Sequence, residues 1–363
     1  MPIHPELRTL IDTMLKRNAS DLILTENQPA VIRVVGDLVP LDGKPQTSDN
    51  VKHLAYGVLS ADQIRDFEER GEVDSSFGLE GLARFRVNVF LQRGAVGMVI
   101  RALPHVIPSI ESLGMPDITK KWLTLPHGII IMTGPTGSGK STSQAAMIGY
   151  LNVRKPYHVV TIEDPIEYVH QHGTCTVEQR EVGRDTRSFG DALKYVFRQS
   201  PDVIMIGEMR DRETFESALQ LAETGHLVLA TLHTGDAMQA ISRIVDVFPP
   251  EQHQQVRVQL SLTLIGVLVQ QLVPKVDGSG RVLATEVLEV TGAVRNLIRK
   301  NELQQIYSVI QTSSNEGMHT MNASLLKLFR EGKISIEQAR LFTTRQKELD
   351  QMVSRENPAL AMA

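Results

Sequence analysis

Cysteine is nearly absent from this sequence, since Cys175 is the only one in 363 residues. A single cysteine cannot form a disulfide framework within the chain, and it also excludes a zinc site built from paired CxxC motifs. Such cysteine usage is typical of a protein that stays in a reducing, intracellular compartment.

Excess positive charge is absent as well. The chain has 38 Lys and Arg against 42 Asp and Glu, which gives a formal net charge of −4. Proteins that bind nucleic acid usually carry a basic stripe or patch. The charge balance therefore disfavours a nucleic-acid motor.

A long hydrophobic run is the third absence. The N-terminal MPIHPELRTLID has no apolar segment behind basic residues, so it does not resemble a secretory signal. The longest apolar stretch, Val256–Val273, is interrupted by Arg257, Gln259, Gln270 and Gln271. A bilayer span needs about 20 predominantly apolar residues. We predict that this stretch is a buried helix of a cytoplasmic protein without a transmembrane segment.

Hydrophobic residues at 42% and charged residues at 22% are typical of a folded globular chain, and the length allows two or three domains at ~150 residues each. In the first hundred residues or so, the spacing of apolar residues predicts a first helix around Leu7–Leu15. A second helix is predicted from Ser48 to Arg70, and Ser60 is a candidate cap of its second half. Short runs bounded by turn residues predict strands at Asp21–Thr25, Ala30–Val35, Ala83–Phe90 and Val96–Leu103. This pattern indicates a small α+β domain.

Strands and helices alternate in the rest of the chain, beyond a linker marked by Pro104, Pro108, Gly114 and Pro116. The predicted strands are Ile129–Thr133, His158–Ile162, Val203–Ile206 and Leu227–Thr231. Helices are predicted from Lys140 and over Phe189–Arg198, Arg212–Glu223 and Ala237–Val245. Such alternation predicts an α/β domain with a parallel sheet. The predicted division is an N-terminal domain at 1–104, a linker at 105–125, the α/β domain at 126–292 and a helical C-terminal region at 293–363.

A phosphate-binding loop is the strongest chemical signal. The sequence GPTGSGKS from Gly134 to Ser141 matches GxxxxGK[ST] and lies between a predicted strand and a predicted helix. Its glycines allow backbone N–H groups to turn toward phosphate oxygens, Lys140 would reach the β- and γ-phosphates, and Ser141 would bind Mg²⁺. The alternative is a glycine-rich turn without a ligand. The predicted nucleotide-binding residues are Gly134, Pro135, Thr136, Gly137, Ser138, Gly139, Lys140, Ser141 and Thr142.

Acidic residues follow two further predicted strands. Glu163 and Asp164 end one strand, with Glu167 a turn later, and Glu208 ends the other. Ligands bind at the carboxyl ends of strands in open parallel sheets. Because Gly207 stands where an Asp usually precedes Glu208, we expect Glu208 to contact magnesium through water and Glu163 to be the general base. The alternative for each carboxylate is a surface or capping role.

Two histidines and four arginines are further candidates. His233 follows the predicted strand Leu227–Thr231 and could sense the γ-phosphate, whereas His226 precedes that strand, and either could instead be structural. A phosphate-loop ATPase that lacks an arginine finger in cis commonly takes one from a neighbouring subunit. The candidates are Arg84, Arg86, Arg93 and Arg101, whose alternative is a solvated strand face.

Four segments together resemble a known family. GPTGSGKST, TIEDPIEYVH, PDVIMIGEMRD and TGHLVLATLHT resemble, in this order, the Walker A, Asp, Walker B and His boxes of the type II/IV secretion ATPases, which are hexameric RecA-like motors. The segments ASDLILT, ARFRVNVF and AVRNLIR resemble the twitching-motility branch of that family, which powers type IV pilus retraction.

The resemblance implies a PAS-like N-terminal domain, a RecA-like core and bound ATP with Mg²⁺. It implies that Glu163 is the catalytic glutamate and Glu208 the Walker B residue. His226 and His233 would be the His-box residues. Arg86 and Arg101 would contact the phosphates bound by a neighbouring subunit. The implied assembly is a homohexamer that turns an inner-membrane pilus platform protein at the inner face of the membrane.

Two alternatives remain within this resemblance. The single cysteine and an ATPase section that begins near residue 110 favour the retraction branch over assembly and secretion members. Some of the motifs resemble one retraction subtype and others resemble another. Together with Gly207 in the Walker B box, this mixture is also compatible with a nucleotide-binding accessory ring that assists a paralogous retraction ATPase.

In AVRNLIR, Arg295 and Arg299 share one helix face, either as solvated charges or as partner contacts.

Overall fold

A computed structural model of the protein describes residues 3–34, 36–79, 83–103 and 106–356. The chain divides into two units: Met1–Val106 with Glu167–Val169, and Ile107–Ile166 with His170–Ala363. Each unit is built around its own β-sheet.

The N-terminal unit contains an antiparallel sheet in the order β3-β2-β1-β6-β5-β4. Its strands are β1 (Asp21–Leu24), β2 (Val31–Val34), β3 (Asp37–Pro40), β4 (Glu72–Leu79), β5 (Ala83–Gln92) and β6 (Ala95–Ala102). Its helices are α1 (Pro5–Lys16), α2 (Ser48–Tyr56) and α3 (Ala61–Arg70).

Alternating side chains along β5 explain how this sheet packs. Phe85, Val87 and Val89 are fully buried, and they belong to the same core as Leu7 and Ile11 of α1. Because strand side chains alternate between faces, the intervening residues of β5 lie on the opposite face. That face carries two of the candidate arginines.

The predicted elements of this unit hold with local corrections. The single helix predicted from Ser48 to Arg70 is wrong, because α2 ends at Tyr56 and α3 starts anew after Ser60. Ser60 caps α3 as predicted, in a reciprocal capping box with Gln63. Strands β3 and β4 were not predicted, since β4 has the polar sequence EVDSSFGL. The predicted strand end at Val35 and the linker residue Pro104 lie outside the described residues.

The second unit contains a sheet in the order β13-β12-β7-β11-β10-β8-β9. All neighbouring strands are parallel except β13, which runs antiparallel to β12. The strands are β7 (Gly128–Thr133), β8 (His158–Glu163), β9 (Thr176–Glu181), β10 (Val203–Ile206), β11 (Leu227–Leu232), β12 (Leu264–Pro274) and β13 (Arg281–Glu289). The helices are α4 (Ile118–Trp122), α5 (Lys140–Asn152), α6 (Phe189–Val196), α7 (Arg212–Glu223), α8 (Ala237–Asp246), α9 (His253–Thr263), α10 (Gly292–Lys300), α11 (Ile306–Thr312), α12 (Met321–Arg330), α13 (Ile336–Phe342) and α14 (Gln346–Glu356).

Helices cover both faces of this sheet. Every residue of β7 and of β11 is buried, which is the pattern of parallel strands packed on two sides. Residues of α6 to α10 share a core with one face, and residues of α4 and α5 share a second core with the other. The α/β fold with a parallel sheet and a helical C-terminal region is therefore confirmed.

The prediction of one buried helix over Val256–Val273 is wrong in its second half. Helix α9 ends at Thr263, and Leu264 begins the long strand β12, which pairs with β7 and β13. A continuous apolar run has no periodicity that separates a buried helix from a buried strand. Strands β9 and β13 were also missed, because β9 is a polar edge strand with the sequence TVEQRE. Among the described residues, no helix is long and apolar enough to cross a membrane.

Candidate nucleotide-binding and catalytic site

Four neighbouring parallel strands bring the candidate residues to one edge of the sheet. Strands β7, β11, β10 and β8 are adjacent in this order. Gly134 follows β7, His233 follows β11, Glu208 lies just beyond β10, and Glu163 is the last residue of β8. The carboxyl ends of parallel strands share an edge, which is where open α/β sheets bind ligands.

The loop from Gly134 to Gly139 has the backbone of a phosphate-binding loop. Gly134, Gly137 and Gly139 have φ values of +145°, +78° and +91°, which non-glycine residues rarely adopt. A Cβ atom at Gly134 would lie 2.2 Å from the backbone oxygen of Gln270, so only glycine fits there. Gly139 leads directly into α5, whose first N–H groups have no partner within the helix. This arrangement is a ready site for an anion.

Lys140 folds back over the same loop. Its Nζ donates to the carbonyl oxygens of Gly134 at 2.8 Å and Pro135 at 3.0 Å. The same Nζ lies 3.4 Å from Nδ1 of His233. The ammonium group is thus held beside the loop, and the His233 ring is placed next to it.

His233 also contacts Glu208. Nε2 of His233 lies 3.2 Å from Oε1 of Glu208, while Oε2 of Glu208 is 2.8 Å from the Arg210 guanidinium. Partial burial by itself raises the pKa of Glu208, but the Arg210 hydrogen bond and the charge of His233 outweigh it, so the pKa lies below its ordinary value. Lys140, His233 and Glu208 therefore form a continuous chain of polar contacts across three strand ends.

Glu163 is buried at the end of β8. Its Oε1 accepts hydrogen bonds from Oγ1 of Thr161 at 2.6 Å and from Nε2 of Gln179 at 3.0 Å. Its side chain is 7% exposed, so few water molecules compete for these bonds. This is the environment of an oriented carboxylate rather than of a solvated surface acid.

Gly207, which stands in place of the expected Asp, has little room for a side chain. Its backbone N–H donates to the carbonyl oxygen of Ile162 at 2.8 Å. A Cβ atom at Gly207 would lie 3.2 Å from that oxygen and 3.4 Å from Cα of Glu163. A larger residue would press against the strand end that carries Glu163.

The described residues contain no cluster of three or more His, Cys, Asp or Glu side chains arranged to hold a metal ion. Mg²⁺ bound with a nucleotide needs only one or two protein oxygens, because phosphates and water supply the others. The hydroxyl of Ser141, in the first turn of α5, and the carboxylate of Glu208 are oxygen donors of the kind this ion prefers. The donor set fits a magnesium ion carried by the nucleotide, whereas a resident ion would need more protein ligands.

Two sequence candidates lie elsewhere. His226 precedes β11 and His233 follows it, so the two histidines lie at opposite ends of the same strand. Nδ1 of His226 lies 3.0 Å from the carbonyl oxygen of Leu221 and 3.2 Å from Oγ1 of Thr224. Glu167 groups with the N-terminal unit. The structure therefore separates the two histidines of the His box.

The candidate arginines lie in the N-terminal unit. Arg86 on β5 pairs directly with Arg101 on β6. Arg101 forms an ion pair with the buried Asp21 at 2.7 Å, and Arg86 lies 3.6 Å from Asp74. Arg84, two residues before Arg86, shares this face, whereas Arg93 lies in the turn between the strands with φ +50°.

Three contact residues escaped the sequence reasoning. Thr161 lies two residues before Glu163, so the period of a strand could have placed both on one face. Arg210 lies two residues after Glu208 within the same box. Gln179 carried no signal, because its strand β9 was not predicted.

Most of the chain matches one protein family. The sequence model of the family described as "Type II/IV secretion system protein" matches residues 1–279. The chain belongs to this family. Among its relatives, the type IV pilus retraction ATPase PilT of Pseudomonas aeruginosa is 47% identical over 335 residues, which cover 92% of this chain and 97% of that protein. The type IV pilus ATPase PilU of the same organism is 45% identical over 334 residues, which cover 92% and 87%.

A solved relative has the same architecture. The crystal structure of the pilus retraction motor PilT with bound ADP matches with a TM-score of 0.89 at 49% identity, over 94% of this chain and 98% of that chain. The predicted resemblance to the secretion ATPase family is thereby confirmed. The identities to PilT and PilU are nearly equal.

Proposed function

We propose that the protein is a magnesium-dependent ATPase that hydrolyses ATP to ADP and phosphate and thereby powers type IV pilus retraction and twitching motility. The observation that carries the proposal is the gathering of the phosphate loop, His233, Glu208 and Glu163 at the ends of four adjacent strands. The close relation to PilT supports retraction as the work performed.

Nucleotide binding follows from the loop and its lysine. Backbone N–H groups from Gly134 to Thr142, except at Pro135, which has none, would surround the phosphates at the positive end of α5. Lys140 would exchange its bonds to the loop carbonyls, at 2.8 and 3.0 Å, for phosphate oxygens. Ser141, together with Glu208 through water, would hold a magnesium ion, which would supply positive charge against the phosphates.

Hydrolysis requires a base that orients water. Glu163 would take this role, since its carboxylate is buried and held by two donors. His233 contacts both Lys140 and Glu208. Its ring would therefore couple a change at the phosphates, next to Lys140, to the position of Glu208. The positive charge of Arg86 and Arg101 would reach the phosphates of a neighbouring subunit.

The assembly that this requires is a homohexamer. In it a PAS-like domain at 1–104 would meet a neighbour's RecA-like domain at 126–292, and the linker 105–125 and the helical region 293–363 would complete each subunit. The ring would work at the cytoplasmic face of the membrane at the pilus base, where it would turn a platform protein.

A second candidate is an accessory ring that binds nucleotide and assists a paralogous retraction motor. Its support is the 45% identity to PilU, which nearly equals the identity to PilT. Gly207 in the Walker B box favours it as well.

The deciding experiment is steady-state ATP hydrolysis by the purified protein without partners, beside Lys140→Ala and Glu163→Gln, with particle mass recorded in the same preparations. We expect magnesium-dependent turnover from a hexamer, and a loss of ~100-fold or more in Glu163→Gln. Undiminished turnover in Lys140→Ala would contradict an ATPase at this site. A well-formed hexamer without turnover would favour the accessory ring.

A further inference from the structure

The side chain of Gln179 on β9 links Glu163 to the backbone. Its Oε1 accepts a hydrogen bond from the backbone N–H of His170 at 2.8 Å, and its Nε2 donates to Oε1 of Glu163 at 3.0 Å. One amide group is therefore engaged at both ends.

The direction of this amide is fixed by chemistry. A backbone N–H can only donate, so the Gln179 atom that faces His170 must be the oxygen. The amide NH₂ group then points to Glu163, where it meets an acceptor. Turning the amide over would place oxygen against the carboxylate and NH₂ against N–H, and both bonds would be lost.

Thr161 completes the arrangement from the other strand. Thr161 and Gln179 are paired across the parallel strands β8 and β9, and Glu163 lies two residues further along β8 on the same face. The Thr161 hydroxyl donates at 2.6 Å to the same Glu163 oxygen that Gln179 contacts. Two donors from different strands thus converge on one carboxylate oxygen.

We propose that Gln179 is a positioning residue for Glu163, which acts together with Thr161 to hold the carboxylate in the orientation that activates water. This inference rests on the proposed function of Glu163 as general base. The terminal torsion of a glutamate side chain is broad, so without donors the carboxylate would sample many orientations. Misplacement of a reacting group by about 1 Å can lower a rate by roughly 100-fold.

The first test compares ATP hydrolysis and nucleotide binding in matched variants. Gln179→Met keeps the length of the side chain and removes both hydrogen bonds, and Gln220→Met is the control because Gln220 is an exposed residue of α7. We expect kcat to fall roughly tenfold or more in Gln179→Met, with the Kd of a fluorescent ATP analogue within about twofold of wild type. Gln220→Met should match wild type in both measurements.

Thr161 offers a second, independent pair. Thr161→Val removes the hydroxyl at nearly constant volume, and Thr161→Ser restores it. We expect kcat to fall in Thr161→Val and to return to within about threefold of wild type in Thr161→Ser, because the donor and not the methyl group is needed. This pair decides the question if Gln179→Met does not fold.

A pH profile separates positioning from mere structural support. Gln179→Glu keeps an acceptor for the His170 N–H and sets a second carboxylate against Glu163, in addition to Glu181, which is paired with Glu163 on β9. Repulsion between the carboxylates disfavours ionised Glu163, so the acid limb of the kcat profile should move to higher pH. A side chain at position 179 that does not act directly on Glu163 during turnover would leave this limb in place.

The outcomes distinguish the inference from the function on which it rests. Wild-type kcat and an unchanged pH profile in the Gln179 and Thr161 variants, with Glu163→Gln inactive, would overturn the positioning role alone. Full activity of Glu163→Gln would overturn the proposed function itself.

Discussion

Arg86 and Arg101 lie directly opposite each other on the neighbouring antiparallel strands β5 and β6. They are fifteen positions apart in the sequence, yet the register of the β5–β6 hairpin places both on the sheet face away from the buried core. Asp21, which is 4% exposed, pairs with Arg101 on one side and lies 3.5 Å from Nε of Arg33 on the other. Arg86, Arg101, Asp21 and Arg33 together therefore carry more positive than negative charge, which suits this part of the sheet face to a phosphate.

We predict that these arginines act on a neighbouring subunit. Arg86→Ala and Arg101→Ala should each lower kcat by roughly tenfold or more while the particle mass stays unchanged, because an arginine that stabilises transition-state charge contributes far more to rate than to assembly. Arg93→Ala, in the turn between the same strands, is the matched control and should retain activity.

Mixed rings test the direction of this contact. Rings assembled from Arg101→Ala and Glu163→Gln chains should recover part of the activity, since some interfaces then combine an intact Glu163 with an intact Arg101 from the next subunit. If the mixture stays as inactive as its parents, the arginine does not act between subunits.

Arg295 gives a second prediction, on helix α10. Its guanidinium donates to the carbonyl oxygens of Ser261 at 2.5 Å and Leu262 at 2.8 Å, near the end of α9. Cations that cap the last carbonyls of a helix stabilise it by ~1 kcal/mol. We expect Arg295→Ala to lower the melting temperature slightly, to keep ATP hydrolysis near wild type and to impair pilus retraction in cells.

Arg299, an exposed residue one turn further along α10, supplies the control for this prediction. Arg299→Ala should lower the melting temperature less than Arg295→Ala, because Arg299 lies one turn beyond the contact with α9 and is exposed in the last turn of α10. Collapse of ATP hydrolysis in Arg295→Ala would contradict the separation of hydrolysis from retraction.

The buried His170 and the half-buried His319 predict a loss of stability in mild acid. Burial lowers the pKa of His170 to about 4, and burial together with the charge of Lys327 lowers the pKa of His319 to about 4. Between pH 4 and the ordinary value of about 6.5, the unfolded chain binds protons at these sites and the folded chain does not. Stability from these groups is therefore complete above pH 6.5 and falls as the pH drops toward 4.

Thermal unfolding at pH 7 and pH 5 measures this effect. The His170→Gln, His319→Gln double variant should lose less melting temperature between the two pH values than wild type, because neither position then titrates. The single variant His53→Gln, at a residue exposed on α2, should behave as wild type. An equal loss in the double variant would assign acid sensitivity to other groups.

Local pattern was enough to predict much of the site. The phosphate loop could be predicted because glycines at fixed spacing impose a backbone that few other sequences adopt, and the structure has those positive φ values at Gly134, Gly137 and Gly139. Glu163 and Glu208 could be placed at strand ends because short apolar runs precede them. Ser60 was identified as a helix cap from the same kind of local rule.

Other features had no local signal. The apolar run that continues past Thr263 could be helix or strand, and pairing with β7 and β13 decided for strand β12. The polar strand β9 is set by its register with β8, and with it the contact between Gln179 and Glu163. The separation of His226 from His233 likewise depends on the direction of β11 within the sheet.

The sequence by itself determined the nucleotide chemistry of this protein, because that chemistry depends on the backbone preferences and charges of neighbouring residues. Only the tertiary structure decided that Arg86 faces Arg101, that His233 joins Lys140 to Glu208, and that Gln179 holds Glu163. The physical reason is that the register between distant strands is selected by packing of the whole sheet, and no single segment contains that information.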